Sequence, residues 1–351
     1  MSSSASLATR GKRIGYCIAV AALAAAGLAG CGSSSDKASG SGGGSHLVNV
    51  TVATPGPSSA FGFLWVAKDQ GIFAKYGLNV KIETVSNAAQ IPGLVKGSFQ
   101  FIPQAGTSER AALQGQPVVN VLSALTNATS ALVVRPGINS LSDLKGKTIA
   151  TASAISTPTL LAKAYLQKNG LGDSVKLLSL QNEQAQETAF TSGQADGLFL
   201  NLDAAVEAQG KVKGSKMLAT PEDLGLPAGA QAGLATSQSF LKAHPDVVKD
   251  MIGAALEATK YSIAHPDETA AIYAKEFGAT TDEAKEIYSK IKPYIVLRGA
   301  PEDAELSANA ASDSSAMNKT ITLDDVKKAW NTTLAEQVFK QLNCPDVCAK
   351  S

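Results

Sequence analysis

Two stretches decide the reading: "LVKGSFQFIPQAGTSERAAL", from Leu94 to Leu113, and "AFTSGQADGLFLNLDAAVEA", from Ala189 to Ala208. Both run from a helix end through a glycine and a small turn into an apolar strand, a polar loop and a second helix. Gly97 corresponds to Gly193 and Gln100 to Asp196, and Gly106-Thr107-Ser108 falls near Asn201-Leu202-Asp203. Each stretch therefore offers polar groups at the carboxyl end of a strand, which is where open α/β sheets hold ligands. Two such halves facing each other would enclose a cleft.

The pattern extends outward from these stretches. "LVNVTVAT" (Leu47 to Thr54) alternates and is β-branched, as a strand should be, and "AFGFLWVAKDQG" reads as a helix ending at Gly71. Strands "LNVKIETV", "FQFIP", "VVNVLSAL", "SALVVR", "KTIATAS", "VKLLSL" and "DGLFL" alternate with helices of about ten residues, which predicts βαβ units and mainly parallel sheets. From His244 the chain turns helical, while Arg298 to Lys319 is polar and aperiodic and is expected to be a surface loop.

The ends carry a different message. Arg10, Lys12 and Arg13 precede the apolar run Ile14 to Leu28, the anatomy of an export signal. That run is short against the ~20 residues of a membrane span. Leu28-Ala29-Gly30-Cys31 resembles the bacterial lipobox, in which cleavage precedes a cysteine that then takes lipid. Residues 31–46 would then be a Gly/Ser-rich tether, reaching about 20 Å root-mean-square. The chain has 31 basic and 30 acidic residues, and loss of the three N-terminal cations leaves 28 against 30, which argues against nucleic acid as a partner. Cys17 would leave with the signal, so Cys344 and Cys348 remain, either as a C-terminal disulfide clip or as free thiols; with no histidine near them they make a poor zinc site. No cofactor or metal motif is present.

Six segments in order, "FLWVAKDQGIFAKYGLNVKIE", "LVKGSFQF", "LVVRPGINSLSDLKGKTIAT", "LLAKAYLQKNGL", "FTSGQADGLFL" and "FLKAHPDVVKDMIGAALEAT", resemble the solute-binding proteins of ABC importers. The branch is the one serving nitrate, taurine, alkanesulfonates and the pyrimidine precursors of thiamine, and the resemblance covers roughly residues 48–270. It implies an α/β fold of the periplasmic binding protein type II kind: two α/β lobes joined by two crossover strands. Lobe 1 would comprise 47–131 and 235–351, lobe 2 would comprise 132–234, and residues 1–30 would be a lipoprotein signal peptide. "ALVVR" would be the first crossover and "AGLATS" (Ala232 to Ser237) the return. Gln100 departs from the family's usual Asp, which Asp196 keeps. The cysteine-rich signature of the thiamine-precursor enzymes is absent, and of the three histidines His46 lies in the tether while His244 and His265 precede prolines at helix starts.

Within that cleft the candidate ligand-binding residues are hydroxyls, amides and helix beginnings. Thr157 before Pro158 suits a helix N-cap, with Ser153 and Ser156 in the same loop; free N–H groups there would attract an anion, although Thr157 would cap its helix in any case. Gly106, Thr107 and Ser108 form the equivalent loop of the first lobe, with Glu109 beside them as a structural first-turn acid. Ser58 and Ser59 follow the first strand, and Phe61 would edge the cleft while Phe63 and Trp65 pack inside. Asn201 and Asp203 come from the second lobe, where Asp203 either pairs with an amine or caps a helix. Beyond the signal only Arg110, Arg135 and Arg298 carry guanidinium groups, and none stands as an obvious anion clamp.

The expected function is a monomeric, lipid-anchored receptor on the outer face of the cell membrane. It would capture a small organic solute, anionic, sulfonate-like or heterocyclic, and pass it to a permease and its ATPase. The alternatives are a ligand-sensing subunit of a signalling system and an enzyme of the thiamine-pyrimidine type. No G-x-S-x-G, H-E-x-x-H or Walker motif supports catalysis.

Overall fold

The computed structural model describes residues 47–127, 129–152, 157–180, 183–224 and 229–342. Signal, tether, Cys31, Ser153, Ser156, Cys344 and Cys348 lie outside these residues. Among the described residues no helix is long and apolar enough to cross a membrane.

The chain opens with β1 (Val48–Thr54), a 3-10 turn at Ser59–Phe61, α1 (Gly62–Asp69), α2 (Ile72–Lys75), β2 (Leu78–Thr84), α3 (Asn87–Lys96), α4 (Ala105–Leu113) and β3 (Val118–Thr126). There follow β4 (Ser130–Val134), β5 (Thr148–Thr151), α5 (Thr157–Lys168), β6 (Lys176–Ser179), α6 (Glu183–Thr191), β7 (Gly197–Asn201), α7 (Leu202–Lys211) and β8 (Lys216–Ala219). The return leads through β9 (Ala230–Ser237), α8 (Gln238–Ala243), α9 (Pro245–Ala264), α10 (Pro266–Phe277) and α11 (Thr281–Ile291). The chain then forms β10 (Ile295–Gly299), α12 (Asp303–Met317), α13 (Leu323–Lys328) and α14 (Thr333–Gln341).

These elements make two α/β lobes. In one, β1 and β2 pair in parallel and β10-β3-β9 form an antiparallel set; single bridges, Val52 to Phe101 and Ile102 to Ala235, stitch the two together. The expected strand at Phe99–Pro103 is thus reduced to two bridging residues. The other lobe holds β6-β5-β7-β4-β8, with β5 parallel to both neighbours and β4 antiparallel to both of its own. The sheets are mixed rather than mainly parallel, because β3 and β9 of one lobe and β4 and β8 of the other, which flank the two passages, each pair antiparallel. The chain leaves the first sheet after Thr126 and enters the second at Ser130, and it returns between Ala219 and Ala230. At the first passage Asn127 has a positive φ of 69°, and its N–H donates to the Gly229 carbonyl of the second at 2.8 Å, so the two passages are tied side by side.

The internal echo is structural down to individual bonds. Gln100 Oε1 accepts from Thr51 N–H at 2.8 Å in one lobe, and Asp196 Oδ2 accepts from Thr148 N–H at 2.9 Å in the other. Gly97 and Gly193 both take left-handed φ, 76° and 84°, a conformation costly for residues with a Cβ. Gln90 and Gln186, equivalent and buried, each donate to a backbone carbonyl, Val85 at 3.2 Å and Leu180 at 2.9 Å.

The core follows from the apolar runs. All nine residues of β3 are buried, and α9, started by Pro245 after His244, buries Val248, Met251, Ile252 and Leu256 against α1. His244 and His265 stand immediately before α9 and α10, as boundary residues. One apolar cluster contains both Val50 and Leu64 of the first lobe and Leu198 and Leu200 of the second. The stretch expected to be a loop, Arg298 to Lys319, instead completes β10 and forms α12. A capping box between Glu302 and Glu305 starts that helix and Asn318, at φ 49°, ends it. Its side chains are small and polar, so no apolar stripe announces it.

Candidate functional site: the seam between the lobes

Two different regions of contact lie between the lobes. On one side, Ser58 and Ser59 follow β1 at the start of the 3-10 turn, and Asp203 sits in the first turn of α7. Ser58 Oγ–H donates to Asp203 Oδ2 at 2.6 Å and Ser59 N–H donates to the same oxygen at 2.9 Å. Burial raises the Asp203 pKa, with those bonds opposing the rise, and its Oδ1 is buried without a hydrogen-bond partner. Tyr273 packs over Gly62 close by, so tightly that a Cβ at Gly62 would overlap its hydroxyl. The cap of α7 is not Asp203 but Asn201, whose Oδ1 accepts from Ala204 N–H at 2.9 Å. Ser58, Ser59 and Asp203 are brought together, and they bind one another. Phe61 is buried in the core, 7% exposed.

On the other side lies a cavity of about 200 Å³. Its walls come from α4 (Gly106, Glu109, Arg110), from α5 of the other lobe (Leu160, Leu161, Ala164), from α12 (Asn309 and Asp313 among them) and from the passages (Asn127, Gly229, Gln231). Two wider hollows, about 760 Å³ beside Lys163 and Leu177 and about 660 Å³ beside Lys242 and Thr332, each belong to a single lobe and open at the surface. The seam cavity is smaller, and it draws on both lobes.

Gly106, Thr107 and Ser108 are not a loop: they form the first turn of α4. Gly106 lines the cavity, Thr107 is half-buried, and the Ser108 hydroxyl is buried with no partner. Thr157 is the first residue of α5, followed by Pro158.

The charged residues of the cavity wall carry no ligand role in the sequence reading, which takes Glu109 as structural and Arg110 as no obvious clamp, and Asp313 has no signal there. Glu109, 1% exposed, accepts from Trp330 Nε1–H at 2.5 Å and from Asn309 Nδ2–H at 3.0 Å. Burial pushes its carboxyl up to about 8, and the neighbouring carboxyl of Asp313 pushes the same way. Asp313 is also raised by burial, opposed by Arg110, whose Nη1 lies 3.3 Å from Asp313 Oδ1. Burial thus holds both carboxyls above the ordinary carboxylate range, while Asp313 faces the guanidinium. Asn309 also donates to the Ala230 carbonyl at 3.1 Å, and its Oδ1 stands over Gly229, where any Cβ would collide with it. Arg135 is spent elsewhere, donating to the Phe190 carbonyl at the end of α6 at 2.6 Å. Among the described residues no group of three or more His, Cys, Asp or Glu is placed to hold a metal. The arrangement can enclose a small molecule between an apolar wall and a hydrogen-bonding one.

The family described as NMT1/THI5 like matches residues 58–269, which include both echo stretches and parts of both lobes. The chain belongs to the NMT1/THI5-like family. Among relatives, the taurine-binding periplasmic protein of Escherichia coli (strain K12) is 31% identical over 235 residues, 63% of this chain and 69% of that protein. A protein of Brucella abortus (strain 2308), named only as a binding protein, is 25% identical over 223 residues, 60% of this chain and 66% of its own length. The match thus spans just under two thirds of the Brucella relative. Among solved structures, the alkanesulfonate-binding protein SsuA from Xanthomonas axonopodis pv. citri, bound to MOPS, superposes with TM-score 0.64 at 18% identity, over 82% of this chain and 99% of that one. The desulfurization enzyme DSZB does so with TM-score 0.61 at 14% identity, over 84% and 100%. At those identities the likeness establishes the fold, that of the periplasmic binding proteins. α12, with Asn309 and Asp313, lies beyond the NMT1/THI5-like match.

Proposed function

We propose that this chain is the extracytoplasmic solute-binding subunit of an ABC importer, anchored by lipid on Cys31, capturing a small organic solute between its lobes and delivering it to a permease. The observation that carries the reading is the seam cavity, whose walls come from both lobes and whose floor is the paired passages at Asn127 and Gly229. A ligand there touches both lobes at once, so its binding energy favours the closed arrangement that a permease could recognise. The relatives that bind taurine and alkanesulfonates support the same reading. In this proposal the solute meets Gly106 and Arg110 from lobe 1 and Leu160, Leu161 and Ala164 from lobe 2; Thr107, Ser153, Ser156 and Thr157 are kept as candidate contacts, and Ser58, Ser59 and Asp203 bind one another across the seam.

The test is a thermal-shift screen of the purified protein against sulfonates and their uncharged sulfonamides, nitrate, bicarbonate, aromatic acids and their amides, and pyrimidines. One compound should stabilise it by about 2.7 kcal/mol at a hundredfold excess over its dissociation constant; a flat panel would remove the reading. Catalysis has one observation in its favour, the likeness in fold to DSZB. Repeated turnover of a solute by the protein alone would move the assignment there.

A further inference from the structure

Arg110 brings a guanidinium to the seam cavity. Its side chain is 30% exposed, and Gly106 leaves room beside it: a Cβ there would meet Gln231 Oε1 at 3.6 Å and Arg110 Nη1 at 3.8 Å. A guanidinium in such a place ordinarily clamps a carboxylate or sulfonate. Here the partner is already built in. Asp313, its side chain 3% exposed, holds Oδ1 at 3.3 Å from Arg110 Nη1. Glu109, held by Trp330 and Asn309, closes the other side of Asp313. A solute anion would have to compete with a carboxylate that is fixed, buried and already desolvated, and it would bring a second negative charge to one positive one. The remaining polar atoms toward the cavity are amides and hydroxyls, among them Gln231, Ser312 and Asn309, the last with Oδ1 buried and unpartnered.

We propose that Asp313 is an internal counter-ion that sets the selectivity of the seam cavity: it neutralises Arg110 and so turns the site against solutes carrying a single negative charge. The proposal rests on the solute-binding reading above. It assigns selectivity to α12, an element outside the family match, and so to a feature of this chain's own C-terminal region.

The experiment compares 1-propanesulfonate with its uncharged isostere 1-propanesulfonamide, by calorimetry, on the wild type, Asp313→Asn, Glu109→Gln with Asp313→Asn, and Arg110→Gln. The double variant guards against Glu109 ionising to replace the lost carboxylate. Preference for sulfonate over sulfonamide should rise about tenfold to hundredfold in Asp313→Asn and in the double variant, the range for one charge-assisted hydrogen bond. Adding Arg110→Gln to either should abolish the gain. Arg110→Gln alone should not raise the wild-type ratio and should lower it where the uncompensated Asp313 carboxylate stays charged, and this arm needs no change at Asp313.

An unchanged ratio in folded Asp313→Asn, no sulfonate binding to it, or a gain that survives loss of Arg110 would each overturn the proposal. So would a wild-type preference for sulfonate that depends on Arg110. An unchanged ratio alongside a hit in the solute screen would remove only the role of Asp313, whereas a flat screen would remove the transport reading and leave the ratio informative about Arg110.

Discussion

Replacing Glu109 by Gln should make the protein less sensitive to alkali. Folded Glu109 keeps its proton up to about 8, against an ordinary value of 4.5, because burial penalises its charge. Between those values the folded state binds more proton than the unfolded chain, so stability is greatest below the lower value and falls as pH rises through about 8. Integrated from about pH 6 to about pH 9, the loss attributable to this one group is about 2–3 kcal/mol. Gln at 109 keeps an oxygen for Trp330 Nε1–H and Asn309 Nδ2–H and offers Asp313 an N–H, but has no proton to lose. Urea denaturation of both proteins at a series of pH values would read the difference directly. The gap between variant and wild type should widen by about 2–3 kcal/mol over that range. Parallel curves would show that Glu109 titrates as an ordinary carboxylate and would refute the burial-raised pKa of that group.

Asp203→Ala should cost about 1–3 kcal/mol by removing the acceptor shared by Ser58 and Ser59, whereas Asp203→Asn, which keeps an oxygen there and loses a buried charge, should cost less; equal losses in denaturant titrations would contradict this. Gly233→Ala should destabilise far more than a surface change, because its Cβ would overlap the Leu122 carbonyl where β9 meets β3. A melting temperature for that variant within about 2 °C of wild type would show that the two strands can part without penalty.

The alternation of strands and helices was legible because both lobes bury apolar strand faces under amphipathic helices, and the glycine-turn-strand echo reported a repeated unit directly. α12 was hidden for a physical reason. Its apolar contribution is only Leu306, Ala310 and Met317, which meet Ile321 and Val326 in a small cluster, while Ala, Ser, Asn and Asp fill the turns that border the cavity. Glu109 looked like a first-turn acid favoured by the helix dipole; what buries it is Trp330, 221 positions away. Arg110 shows no sign of a clamp in the sequence, because helix position says nothing about which turn borders a seam between lobes. Asp203 was chosen for its location at a strand's end, but its partners were read as a ligand or its own helix rather than two serines of the opposite lobe. Local pattern gives the elements; contacts distant in sequence decide which polar groups are already satisfied.

The chain contains two tryptophans, and each touches one flank of the junction: Trp65 Nε1–H donates to the Ser58 carbonyl at 3.2 Å, and Trp330 to Glu109. The molecule therefore carries a native fluorophore on each flank of the seam between its lobes. With Trp65→Phe, emission would come from Trp330 alone, and a spectral change on adding a compound would report events beside the Glu109 carboxyl without any attached dye.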